Sequence, residues 1–163
     1  MNIFLIGFMG SGKTFWGKTW AERTGMNFYD LDEMIEAEQG VSIAAIFEND
    51  GESYFRNLET SMLQRFADMN NCLLACGGGT PCFNHNIDWM NKNGITIYLS
   101  ADPQIILNRI AGEKDKRPLI SKLNDTEILS FIDQKLKERE PFYRKAKYIL
   151  PVKNLNAESL SII

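Results

Sequence analysis

Residues 7 to 14 read Gly-Phe-Met-Gly-Ser-Gly-Lys-Thr. Gly7, Gly12, Lys13 and Thr14 fill every fixed position of the pattern G-x-x-x-x-G-K-[ST]. Such a run is suited to holding phosphates. Its glycines let backbone N–H groups turn inward toward an anion, and the helix that follows adds positive potential at the same point. A lysine placed like Lys13 reaches the β- and γ-phosphates of a nucleoside triphosphate, and a hydroxyl placed like that of Thr14 ligates Mg²⁺. Gly10, Ser11, Gly12, Lys13, Thr14 and Phe15 are therefore expected around the triphosphate.

Further residues could serve phosphoryl transfer. Asp30 and Asp32 stand two apart after a short apolar run. Transfer needs one carboxylate on the metal side and one group to orient or deprotonate the attacking hydroxyl. We assign Asp30 to the Mg²⁺ shell, through water, and Asp32 to the acceptor. Acids decorating a helix N-terminus would read the same way. Gly77-Gly78-Gly79 could bring backbone N–H groups close to an anion or a sugar-like ring, or could simply be a flexible turn. Arg56, Arg117 and Arg139 offer planar forks for carboxylate or phosphate. Arg117, in a polar loop, could close over the phosphates. Taken singly, each arginine could equally be a solvated surface group.

The elements that must position these groups follow from periodicity. Strands are expected at Ile3 to Ile6, Asn27 to Asp30, Cys72 to Ala75, Ile95 to Leu99 and Tyr148 to Val152. Helices are expected from Lys13 to Thr24, Asp32 to Gln39, Ser42 through Phe47, Glu52 to Met69 and Asn86 to Asn91. Further helices run from an Asp102 cap to Ile110, from Asn124 to Ala146 with a break near Pro141, and from Ala157 onward. Alternating strands and helices predict an α/β fold with a parallel sheet covered on both faces. The phosphate loop, the acidic pair and the glycine triplet each follow a strand, so all fall at the sheet edge where ligands of open α/β sheets bind.

Composition narrows the class. The chain has 163 residues, a length suited to one domain spanning 1–163, and a net charge of -3. That balance gives no footprint for nucleic acid. No apolar run is long enough to span a bilayer, and residues 1–7 lack the basic start of a signal peptide. The expected location is the cytoplasm. Cys72, Cys76 and Cys82 are an odd set with one histidine in the whole chain, which disfavours a disulfide framework and a zinc site. A guanine-reading Asn-Lys-x-Asp is missing, since Asn91-Lys92-Asn93-Gly94 lacks the aspartate. The strand before the glycine triplet carries no terminal carboxylate of the kind found in motor ATPases.

Taken together the motifs resemble the shikimate kinase family over essentially the full length. The matching pieces are residues 7 to 14 with Gly17 following, Asp30-x-Asp32, Phe55-Arg56-x-x-Glu59, Gly77-Gly78-Gly79, Arg117-Pro118-Leu119 and Arg139-x-Pro141-x-Tyr143. The resemblance implies ATP-dependent phosphorylation of the 3-hydroxyl of shikimate, in the chorismate route to aromatic amino acids. It implies a P-loop fold like that of nucleoside monophosphate kinases, with a five-stranded parallel sheet in order 2-3-1-4-5. A shikimate-binding region would cover about 31–60, and a lid about 112–123. Shikimate contacts would be Asp32, Arg56, Gly77, Gly78, Gly79 and Arg139, with Phe47 and Phe55 lining the pocket and Glu59 orienting the arginine and the acceptor. Lys13, Asp32 and Arg117 would carry catalysis. Arg109 would stack on adenine, and an adenine loop would fall near 152–155, with Lys153 in it. Mg²⁺ would be the cofactor, ATP and shikimate the only partners, and a monomer the working state. Two other readings compete: a different small-molecule kinase, such as a gluconate kinase, and a nucleotide-binding regulator without turnover. The first has no need for both Arg56 and Arg139. The second predicts a missing catalytic group, yet Lys13, Asp32 and Arg117 are all present.

Overall fold

The computed structural model describes residues 1–114, 117 and 119–163. Part of the expected lid, residues 115, 116 and 118, lies outside them.

Five parallel strands form one sheet: β1 (Ile3–Ile6), β2 (Asn27–Asp30), β3 (Cys72–Ala75), β4 (Ile95–Ser100) and β5 (Tyr148–Pro151). Their order is β2-β3-β1-β4-β5, as the resemblance implies. All four residues of β1 are buried, as a central strand covered on both faces requires. Alternate residues serve different cores. Phe4 and Ile6 join a large cluster with Leu31, Ile35, Phe66, Leu74 and Tyr98. Ile3 and Leu5 point the other way, onto Trp20, Ala21, Leu73, Ile97 and Leu99.

Seven α-helices surround the sheet among the described residues: α1 (Lys13–Thr24), α2 (Leu31–Gln39), α3 (Ile43–Asp50), α4 (Glu52–Gln64), α5 (Asn86–Asn93), α6 (Pro103–Ala111) and α7 (Asp125–Tyr143). Gly25 closes α1 in a left-handed conformation, its N–H donating to Ala21. Asn124 and Glu127 form a reciprocal capping box at the start of α7.

Four expectations are corrected. The fourth helix does not stay α-helical to Met69: it ends at Gln64 and tightens into a 3-10 turn over Arg65–Asp68 that buries Phe66. Asp102 stands at the N-cap of α6, but its side chain makes no capping hydrogen bond, and Pro103 supplies the helical start. Pro141 does not break α7, which runs through it and stops at Tyr143. The proline gives up one intrahelical hydrogen bond in the last turn, and two residues further on Tyr143 ties the helix end to the Gly78 carbonyl. The C-terminal segment forms only a short 3-10 turn, Ser159–Ile162, instead of an α-helix.

The register sets the site. Asp30 pairs with Ala75, and Ala75 with Leu5, so β2, β3 and β1 end at one level. The phosphate loop, Leu31-Asp32 and the glycine triplet therefore leave the sheet side by side. β1 lies between β3 and β4, where the strand order reverses and such sheets open a crevice.

Candidate active site

Gly10 and Gly12 adopt positive φ angles of 74° and 93°. A side chain there would be strained, and Gly12 is the residue that turns the chain into α1. Lys13 Nζ donates to the carbonyls of Gly7, at 2.8 Å, and Phe8, at 2.9 Å, which holds its charge over the loop. Burial pulls its pKa down to about 8, against the opposing pull of the Asp32 carboxylate. Ser11 is fully buried, and its Oγ takes no hydrogen bond among the described residues.

Asp30 does two jobs. Its Oδ1 accepts from the N–H groups of Asp32 (3.1 Å) and Glu33 (3.3 Å), capping α2. Its Oδ2 accepts from the Thr14 hydroxyl at 2.9 Å. The Asp30 carboxylate is thus tied both to the phosphate loop and to the helix that carries Asp32. Fully buried Leu31 anchors that helix start, and Asp32 follows it into a crowded acidic corner. Burial first, then the Glu59 and Asp30 carboxylates, raise the Asp32 pKa to about 6, with Lys13 pulling the other way.

A cavity of about 650 Å³ joins these groups. Gly10, Gly12, Lys13, Thr14 and Phe15 line it, together with Asp30, Asp32, Gly77, Gly78, Arg109 and Arg117. Arg109 donates to the Gly10 carbonyl at 3.1 Å. Arg117 pairs with Glu113 at 3.0 Å.

Beside the cavity lies a second cluster. Arg56 Nη1 donates to Glu59 at 2.9 Å, and the other carboxylate oxygen of Glu59 accepts from the Thr80 hydroxyl at 2.7 Å. Glu59 is 1% exposed, so a buried charge is satisfied by two partners on different elements. The Arg56 guanidinium also lies against Phe83, 4.1 Å from the ring centre, and Phe55, at 5.2 Å. Phe47 stacks on Phe55 with ring centres 4.8 Å apart.

The glycine triplet joins the two halves. A Cβ on Gly77 would lie 3.1 Å from Asp32 Oδ1, 3.1 Å from the Thr80 hydroxyl and 3.2 Å from Glu59 Oε2. On Gly79 it would lie 2.5 Å from the Arg56 guanidinium, and on Gly78, 2.9 Å from Arg139 Nη1. At Gly78 and Gly79 arginines occupy the space a side chain would need. Arg139 also stands over Phe8, 5.5 Å from the ring centre. One turn further along α7, the fully buried Tyr143 donates its hydroxyl to the Gly78 carbonyl at 2.5 Å.

The expected residues are thus brought together, with one exception. Lys153 is exposed on the 3-10 turn Val152–Asn154 and does not line the cavity. Thr80, Phe83 and Trp16 join the site without a role expected from the motifs. Thr80 follows the triplet directly, a position that signalled proximity, whereas nothing in the spacing announced Phe83. Cys72, Cys76 and Cys82 are all free, and no group of three His, Cys, Asp or Glu among the described residues could hold a metal.

Comparison with known proteins agrees with this arrangement. A model of the family described as shikimate kinase matches residues 9–161. A shikimate kinase of Phocaeicola vulgatus is 40% identical over 154 residues, covering 94% of this chain and 88% of that protein. The crystal structure of shikimate kinase from Bacteroides thetaiotaomicron superposes with a TM-score of 0.92 at 38% identity, covering 98% of this chain and 93% of that one. The structure of shikimate kinase from Acinetobacter baumannii in complex with shikimate gives 0.85 at 36% identity, covering 99% and 88%.

Proposed function

Because the chain belongs to the shikimate kinase family, we propose that it transfers the γ-phosphoryl group of ATP to the 3-hydroxyl of shikimate, giving shikimate 3-phosphate and ADP. The observation that carries the reading is the pair of arginines at the glycine triplet, Arg56 against Gly79 and Arg139 against Gly78, beside a phosphate loop. Two guanidinium forks beside adjacent glycines suit a carboxylate, and shikimate has one carboxylate and three hydroxyls.

In this scheme Arg56 and Arg139 grip the carboxylate, and Glu59 holds Arg56 in place. Gly77, Gly78 and Gly79 admit the ring, with Phe47 and Phe55 as its apolar boundary. Asp32 accepts the proton of the 3-hydroxyl as that oxygen attacks the γ-phosphorus. A pKa near 6 leaves it ionised at neutral pH yet more basic than an ordinary aspartate. The β–γ bridging oxygen leaves with ADP, and Lys13 and Arg117 neutralise charge on the transferring group. Gly10, Ser11, Gly12, Thr14 and Phe15 hold the triphosphate, and Arg109 and Lys153 belong to the adenine end. A closing lid over about 112–123, a shikimate-binding region over about 31–60, a single domain, a monomer and a cytoplasmic location are parts of the same proposal. No helix among the described residues is long and apolar enough to cross a membrane.

Thr14 and Asp30 suit Mg²⁺. They offer one hydroxyl and one carboxylate 2.9 Å apart at the cavity wall. That small donor set fits an ion that takes most of its oxygens from phosphates and water. Bound there, Mg²⁺ supplies charge neutralisation at the β- and γ-oxygens.

ADP release, coupled to a chromogenic assay, tests the proposal with shikimate, gluconate and a nucleoside monophosphate as acceptors. Shikimate alone should drive ADP formation at saturating Mg-ATP. Gluconate-driven release, or none with any acceptor from folded protein, would overturn it.

A further inference from the structure

We infer that Trp16, on the first turn of α1, is a wall of the nucleoside subsite and contacts the base or ribose of the bound nucleotide. This rests on reading the cavity as a nucleoside triphosphate site.

The phosphate loop sets the direction of the nucleotide. Lys13 takes the β- and γ-phosphates, and Asp32 and the glycine triplet lie at that end. The nucleoside must leave away from that end, on the side of the loop where Arg109 reaches Gly10 and where Phe15 and Trp16 also line the cavity. Two of these close on one point. A Cβ at Gly12 would lie 3.0 Å from Arg109 Nη1 and 3.3 Å from Trp16 Cδ1. The guanidinium and the indole therefore flank the backbone that the α-phosphate end of the nucleotide must pass.

Trp16 is held where it stands. It stacks on Trp20, with ring centres 5.6 Å apart and planes 27° apart, and Phe15 meets it edge-on at 5.1 Å. Trp20 is fully buried, and its indole donates to the Asn156 carbonyl at 3.0 Å. That bond ties α1 to the chain just after the 3-10 turn Val152–Asn154. The contrast between the two indoles is informative. Trp20 is a core tryptophan with its N–H satisfied. Trp16, one turn earlier, is half-exposed, lines the cavity, and has an N–H that donates no hydrogen bond among the described residues. A rigid aromatic with an unused donor suits a nucleoside, whose base has a π-face and whose ribose has hydroxyl acceptors.

Nucleotide titrations without shikimate test this, so the result does not depend on which acceptor the protein uses. Trp16→Ala should weaken Mg-ADP binding about tenfold while leaving Mg-tripolyphosphate, which has no nucleoside, bound as in the native protein. Unchanged ADP affinity, or equal weakening of both ligands, would overturn the inference. Trp16→Phe, with Trp89→Phe as its control on α5, where Trp89 packs on Phe4 and does not line the cavity, keeps the test decisive if the alanine variant does not fold. The emission change on adding ADP should vanish in Trp16→Phe and persist in Trp89→Phe. An unaltered emission change in Trp16→Phe would contradict the assignment.

Discussion

Asp32 and Lys13 line the same cavity with pKa values displaced toward neutrality, to about 6 and about 8. In the proposed mechanism Asp32 works as a base only when ionised, and Lys13 stabilises phosphate only when protonated. The free-enzyme profile of kcat/KM should therefore be bell-shaped, falling below pH about 6 and above about 8. A profile flat from pH 5 to 7 would remove Asp32 from the role of base. Asp32→Asn should lower kcat by roughly 10²- to 10⁴-fold while Mg-ATP affinity stays near native. The same substitution has a stability consequence of definite sign. The folded value of Asp32 lies above its ordinary 3.8. Its stabilising contribution is thus present at low pH and is lost as pH rises through 6, leaving a buried charge that costs stability. At pH 8 Asp32→Asn should melt higher than the native protein, by roughly 2–4 °C. A lower melting temperature would show that Asp32 holds the fold together.

Helix α7 shows what an element adds beyond its residues. Arg139 and Tyr143 lie one turn apart and both meet Gly78, the tyrosine through a 2.5 Å hydrogen bond to its carbonyl. Tyr143 thus acts as a positioning residue that sets the glycine triplet, and with it the approach of Arg139. Tyr143→Phe keeps the ring and its packing on Tyr98 but removes the bond. We expect the KM for shikimate to rise about five- to tenfold, with the KM for ATP within twofold of native, for a lost hydrogen bond of about 1 kcal/mol. Equal rises in both would point to a general loss of packing. The elements were largely legible from the sequence, because buried strands such as Ile3–Ile6 and closing glycines such as Gly25 leave strong local signals. The exceptions lie at Asp102, whose side chain leaves the cap unused, and at Pro141, which α7 runs through. The bond between Tyr143 and Gly78 spans 65 residues, and no local pattern encodes it.

At the scale of the whole molecule, sheet order and register turn scattered motifs into one site. Strands β2, β3 and β1 end level, so Asp30, Gly77 and the phosphate loop meet although far apart in the chain. The donor half was readable from contiguous residues 7 to 14. The acceptor half was readable only as a set of motifs, because Arg56, Glu59, Gly79 and Arg139 gain meaning from one another's positions. Phe83 and Trp16 carried no signal of their own: an aromatic at either place reads as ordinary core until its neighbours are known. The shape makes the central claim specific. An acceptor whose carboxylate is gripped by Arg56 and Arg139 presents one hydroxyl between Asp32 and the γ-phosphate, so a single regiochemistry follows. The most direct measurement is ³¹P–¹H correlation NMR of the product formed from shikimate and Mg-ATP. The account predicts one new phosphomonoester, coupled to the proton on C3, in equal amount to ADP. Inorganic phosphate in its place, or phosphate on another hydroxyl, would contradict it.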